Sequence, residues 1–202
     1  GNPILGYATD NALLPKILFM VILAPVIEEY IFRKQLIDRM HVYGEKLAVI
    51  TSALMFGLFH GNLSQLFYAF ALGLVFGYVY LKTGKLRYSI GLHMLINFIG
   101  SVVGPFFLEK LAVLDTMETM DMAALEPILP WLLGFGAYVL VLIGLAIAGL
   151  VLLCINKRRV SFAPAELELP KESRFRTVCL NVGMILLILG CAALIISNVI
   201  ML

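Results

Sequence analysis

The chain has 202 residues, 61% of them hydrophobic and only 14% charged, and its mean hydropathy is +0.98. That balance excludes an ordinary soluble domain and describes a chain mostly buried in lipid. The 15 Lys and Arg against 13 Asp and Glu leave a net charge of +2, so no overall basic field argues for nucleic acid.

Six apolar segments follow in chain order: Leu13 to about Ile37, Leu47 to Phe59, Leu66 to Leu81, Tyr88 to Leu108, Trp131 to Ile155 and Val178 to Leu202. Crossing a bilayer as a helix takes roughly 20 residues, which four of them supply and the second and third do not. These two short segments are joined by HGNLSQ, a polar turn without a charged residue, expected to line a wet cavity below the membrane surface. Position 1 is Gly and no charged region precedes a short apolar one, so no signal peptide is read and earlier helices are expected to be missing. Cys154, Cys179 and Cys191 are odd in number, sit in or beside apolar runs, and match neither a disulfide framework nor a zinc knuckle; they read as packing residues.

Alternate crossing of six segments puts Arg33, Lys34, Arg39, Lys46, Lys82, Lys85, Arg87, Lys157, Arg158, Arg159, Lys171, Arg174 and Arg176 on one side. Lys16, Lys110 and an acidic loop with Glu109, Asp115, Glu118, Asp121 and Glu126 fall on the other. Basic loops stay in the cytoplasm, which makes the crowded side cytoplasmic and both chain ends external. The predicted fold is all-α: a polytopic membrane helix bundle of about six transmembrane helices. Its organisation is a catalytic core over 1–110, an extracytoplasmic acidic loop over 111–130, and two further spans joined by a basic cytoplasmic linker over 131–202. Gly57/Gly61, Gly73/Gly77 and Gly100/Gly104 have the spacing that lets helix backbones approach, so segments two to four are expected to pack tightly with the first.

Charge inside such spans is costly and marks candidate sites. Three clusters qualify: Glu28, Glu29 and Arg33 in EEYIFR; Phe56 and His60 in FGLFH; His93 and Asn97 in HMLIN. Glu29 and Arg33 lie four apart and can pair along one helix face. Glu28 has Phe32 at that spacing and no local cation, which suits a general base; Glu29 with Arg33 then supports it. Pro25 lacks the donor for a helix hydrogen bond and is expected to kink the helix beside Glu28. His93 and Asn97 share a face, as do Phe56 and His60.

Taken singly, EExxxR fits an interfacial ion pair and a membrane histidine fits hydrogen-bonded packing. Together, one carboxylate, two imidazoles and a carboxamide suit attack of water on a carbonyl. Glu28 takes the proton, a histidine holds the water, and His93 with Asn97 donates to the oxyanion. Glu28, His60 and His93 could alternatively ligate zinc, leaving a fourth position for water; no HExxH is present, and both versions stay open.

EEYIFR, FGLFH and HMLIN resemble, in order, the EExxxR, FxxxH and HxxxN motifs of the CPBP family of CAAX proteases and bacteriocin-processing or immunity proteins. The resemblance covers about residues 10 to 108. It implies a helical membrane bundle with a four-helix catalytic core, usually preceded by other helices. Glu28 corresponds to the catalytic glutamate, His60 and His93 to the site histidines, Asn97 to their polar partner, and Glu29 and Arg33 to the rest of the first motif. The family implies a metalloprotease with zinc or a metal-free glutamate mechanism. It also implies a bilayer environment, here a bacterial plasma membrane, and a peptide, prenylated or membrane-protein substrate. Oligomeric state is not encoded in these motifs. A noncatalytic immunity factor or scaffold using the polar cluster for packing is the alternative. A transporter would require internal symmetry, and residues 110 to 202 have no counterpart of the motif-bearing half.

Overall fold

The computed structural model describes residues 13–116, 125–167 and 169–200. Within the expected acidic loop, Glu118 and Asp121 lie outside the described residues, as does the C-terminal end of the sixth apolar segment. Among the described residues the elements are helical and no strand occurs.

Helix α1 spans 13–40 and closes on a 3-10 turn, His41–Tyr43. It alternates α-helical turns with π-helical stretches at Lys16–Leu23 and Tyr30–Ile37. Pro25 sits between them, in the α-helical Ala24–Glu29. π-helical stretches thus flank the Pro25 turn on both sides. A carbonyl in the second stretch, that of Phe32, accepts a 2.7 Å hydrogen bond from buried Ser52 Oγ.

Gly44, at φ 115°, turns the chain into α2, Glu45–Phe59. Gly61, at φ 60°, and Asn62 connect it to α3, Leu63–Thr83. Asn62 Oδ1 accepts from the Ser64 amide at 2.9 Å and caps α3 at its N-terminus. That cap recruits Leu63, Ser64 and Gln65 into the helix, which reaches 21 residues. The third segment is therefore long enough to span a bilayer, correcting the expectation that it is short, whereas α2 has only 15 residues.

The α2–α3 hairpin is the most extensively packed helix pair. A Cβ on Gly73 would meet the Ala53 backbone at 2.9 Å, and one on Gly57 would meet the Leu66 carbonyl at 2.9 Å. Gly73→Ala is expected to destabilise the protein by about 1–3 kcal/mol through overpacking. Thermal unfolding in detergent micelles checks this, with Gly91→Ala, which has nothing within 4 Å of its added Cβ, as the matched control. The Gly100/Gly104 repeat does not belong to such a contact: Gly100 faces open space, and the nearest group to a Gly104 Cβ is the Tyr138 hydroxyl at 3.5 Å. Spacing permits close approach but does not supply the neighbour.

Helix α4 runs over 86–111, with a π-helical stretch at Ile99–Val103. Helix α5, Leu129–Asn156, is apolar all round, and Leu140 is 70% exposed; such a helix belongs in lipid. The linker ends in a polar helix, α6, Lys171–Cys179, and the sixth apolar segment forms α7, Val182–Ile200, whose start Asn181 Oδ1 caps by accepting from the Met184 amide at 3.0 Å. Among the described residues, Leu63–Thr83, Leu86–Leu114 and Leu129–Arg159 are long and apolar enough to cross a membrane. The pair Glu172–Val178 and Val182–Ser197, bent by 66°, makes a fourth if it is one span. The protein is an all-α integral membrane protein.

Contacts divide the chain into two units. One contains the start of α1 up to Val21 together with Ile96–Ser161; the other contains Ile22–Leu95 and Phe162–Leu202. In the first, Phe107 stacks on Tyr138 and Phe106 meets Trp131 edge-on. In the second, one buried cluster joins Ile37, Ala48, Val49 and Tyr80, and another joins Phe32, Phe56 and Ala69. The connecting segment from Phe162 onward is tied to this unit: the Ala163 amide donates to Glu45 Oε2 at 2.7 Å and the Leu167 amide to the Val42 carbonyl at 2.9 Å. Burial pushes the Glu45 carboxyl upward. Hydrogen bonds from Lys82 and the Ala163 amide outweigh it and hold the group below the usual carboxylate range.

Candidate active site

The second unit gathers Glu28, Glu29, Arg33, His60 and His93. Glu29 is fully buried, and its Oε2 lies 3.0 Å from Arg33 Nε, the helical-turn pairing expected from their spacing. Arg33 is fully buried too. Its Nη1 and Nη2 have no hydrogen-bond partner among the described residues. The guanidinium instead lies over the Phe56 ring at 4.6 Å and the Phe76 ring at 5.7 Å, so aromatic faces supply part of the stabilisation that water would give.

The second oxygen of Glu29 does something that helix spacing alone does not foretell. Oε1 lies 3.0 Å from His93 Nδ1, joining residues 64 positions apart. A carboxylate can only accept, so Nδ1 carries the proton and the ring is held by the Arg33–Glu29 pair. His93 Nε2 then faces Glu28, at 3.8 Å from Oε2. That oxygen is buried and has no hydrogen-bond partner among the described residues, while the Glu28 side chain as a whole keeps 19% exposure. The two adjacent glutamates are thus distinguished by geometry: Glu29 is paired twice, and Glu28 offers an oxygen.

His60 closes α2. Its Nδ1 lies 2.8 Å from the Phe56 carbonyl, which again accepts only, leaving Nε2 as the free nitrogen of the neutral ring. The Phe56 ring meets both imidazoles edge-on, His60 at 4.9 Å and His93 at 5.4 Å between centroids. One aromatic side chain therefore contacts both histidines and also carries the Arg33 cation. Among the described residues no three His, Cys, Asp or Glu groups converge at a spacing that would hold a metal ion. Glu28, His60 and His93 as arranged do not form a ready zinc site.

Asn97 belongs to the first unit. Its Nδ2 donates a 2.8 Å hydrogen bond to the Met20 carbonyl, within the π-helical Lys16–Leu23 whose wider turns alter the usual backbone pairing. Sequence spacing did not single out Phe76, which stacks on His93 at 5.3 Å and 26°. The available signal was its position between Gly73 and Gly77, whose small size brings that part of α3 against α2.

A family model, Type II CAAX prenyl endopeptidase Rce1-like, matches residues 10–99, which contain all three motifs and every side chain just described. Residues 10–99 are thus similar to the Rce1-like CAAX family. This agrees with the CPBP resemblance of EEYIFR, FGLFH and HMLIN. The chain is also similar to the membrane-embedded CAAX protease MroQ of Staphylococcus aureus (strain USA300), 32% identical over 88 residues, which are 40% of this chain and 36% of that protein. The chain thus spans little more than a third of this curated relative. No solved structure matches it. The matched residues include the polar side chains on α1, α2 and α4, while α5 to α7 lie beyond them.

Proposed function

We propose that the protein is an intramembrane endopeptidase of the CAAX-protease type, in which Glu28 activates water for attack on a peptide carbonyl. The observation that carries this is the unpartnered Glu28 Oε2, 3.8 Å from the Nε2 of an imidazole whose other nitrogen is held by Glu29. A water bound there gives its proton to Glu28 as its oxygen bonds to the carbonyl carbon. His60, with Nδ1 committed to a backbone carbonyl, accepts the water's second O–H at Nε2. His93 in its protonated form donates from Nε2 to the developing oxyanion, and Glu29 balances the imidazolium. Asn97 lies one turn beyond His93 on α4, and its Nδ2 donates to the Met20 carbonyl. Glu28 then delivers its proton to the leaving nitrogen as the C–N bond breaks, producing a carboxylic acid and an amine.

The substrate is a peptide, prenylated peptide or membrane protein reaching the motif helices through lipid or from the basic, cytoplasmic face. A bacterial plasma membrane suits this arrangement and the likeness to MroQ. No step above passes through a metal; the zinc version by Glu28, His60 and His93 would need the three donors to draw together. In proteoliposomes with membrane-presented peptides, His93→Ala is expected to abolish cleavage while the protein stays folded. Wild-type cleavage by His93→Ala would overturn the proposal. Retention of activity in the presence of a chelator supports the metal-free version, and its loss with recovery on adding zinc supports ligation.

A further inference from the structure

Helix α3 carries none of the three motifs, yet one of its side chains reaches the centre of the site. Phe76 is 2% exposed, and its ring lies nearly parallel to the His93 imidazole, 5.3 Å between centroids with 26° between planes. The same ring receives Arg33, whose guanidinium carbon is 5.7 Å from its centroid. Phe56 touches the same two groups from α2, but differently: it meets His93 at 87° and takes the Arg33 cation at 4.6 Å. His93 therefore has a hydrogen bond at Nδ1, a perpendicular ring on one contact and a parallel ring on another.

These restraints are not redundant. The Nδ1 to Glu29 bond tolerates angular change, so partial rotation about His93 Cβ–Cγ still swings Nε2 relative to Glu28. A parallel aromatic face removes that rotation, because turning the imidazole drives its edge into the Phe76 π-surface. A flat cation-accepting face also suits an imidazolium, so the contact strengthens in the form that donates to an oxyanion. Gly73 and Gly77 make this reach possible: added Cβ atoms there would meet Ala53 at 2.9 Å and Val49 at 3.3 Å, so only small residues let α3 lie close enough.

We infer that Phe76 is a positioning residue, which acts through His93 by setting the plane of its imidazole and thereby the direction of Nε2. The inference rests on the proteolytic role given to His93 above, and its test has a readout that does not require proteolysis.

The experiment uses full-length protein in nanodiscs with histidine labelled by 13C and 15N, the His93 signals being assigned by their absence in His93→Gln. In wild type, the His93 ring protons are expected to show the upfield ring-current displacement of a stacked imidazole. Phe76→Leu, which keeps an apolar side chain of similar bulk, is expected to lose that displacement and to lower kcat about tenfold with KM within about twofold, as misorientation of a catalytic group does. Phe76→Tyr, which keeps the ring, is expected to restore both. Wild-type His93 resonances in folded Phe76→Leu, or Phe76→Tyr behaving like a ringless variant, would overturn the inference. A wild-type protein that shows the stacked His93 signature and cleaves nothing would sink the protease proposal and leave the stacking intact, so the two failures are told apart.

Discussion

Glu28→Gln is expected to reduce cleavage of a membrane-presented peptide by about 10³-fold, within the range that a positioned general base contributes. The substitution keeps the shape of the side chain and removes its ability to take a proton. Because Glu28 Oε2 has no hydrogen-bond partner among the described residues, the amide disrupts no existing pairing and the fold should be retained. Glu29→Gln makes the informative contrast. Glu29 accepts from His93 at 3.0 Å and pairs with Arg33 at 3.0 Å, so its neutralisation strands a buried guanidinium and lowers stability as well as turnover. Cleavage rates and unfolding midpoints measured together on both variants check this assignment: loss of activity alone for Glu28→Gln, loss of both for Glu29→Gln. Equal activity losses with equal stability losses would mean that the glutamates share one structural role.

Arg33→Met is expected to cost about 3–5 kcal/mol of stability, the range for removing one partner of a buried ion pair. Glu29 is left fully buried with a charge balanced only by His93, while the Met side chain fills much of the space against Phe56 and Phe76. The cost therefore comes mainly from the orphaned carboxylate rather than from a cavity. Adding Glu29→Gln to Arg33→Met removes that charge, and stability should return to within about 1 kcal/mol of wild type, since replacing a whole buried pair by neutral groups is often close to neutral. Activity should not return, because a neutral carboxamide in place of the Glu29 carboxylate cannot balance an imidazolium at His93. Reversible unfolding of the single and double variants in one detergent measures the first part, and peptide cleavage the second. An Arg33→Met protein as stable as wild type would show that the aromatic faces, not Glu29, hold the site together.

Much of this site was legible in the linear chain because its first interactions are local. A four-residue separation puts Glu29 and Arg33 on one helix turn whatever else the protein does, and their 3.0 Å pair follows. The same rule left Glu28 without a cation on its own helix, and its Oε2 has no hydrogen-bond partner among the described residues. Apolar runs marked the long helices, since burying backbone polar groups in lipid demands internally hydrogen-bonded structure, whereas the polar α6 carries no such run. Helix ends were less legible. The Asn62 cap lengthened one segment and the Asn181 cap set the start of another through single side-chain bonds that hydropathy averages away.

What depended on tertiary structure was everything that joins distant positions. The bond from Glu29 to His93 crosses 64 residues, and no periodicity connects them. Phe76 could not be distinguished from other core aromatics until α3 was packed against α2, and Asn97 gave its amide hydrogen to Met20 rather than to a neighbour on its own helix. The glycine repeats illustrate the division: spacing alone made Gly73 and Gly100 alike, but one has the Ala53 backbone against it and the other has open space. Helical periodicity specifies which side chains share a face, because it is a property of one backbone. Which faces meet depends on packing between backbones, and that is where the alignment of Glu28, Glu29 and His93 was decided.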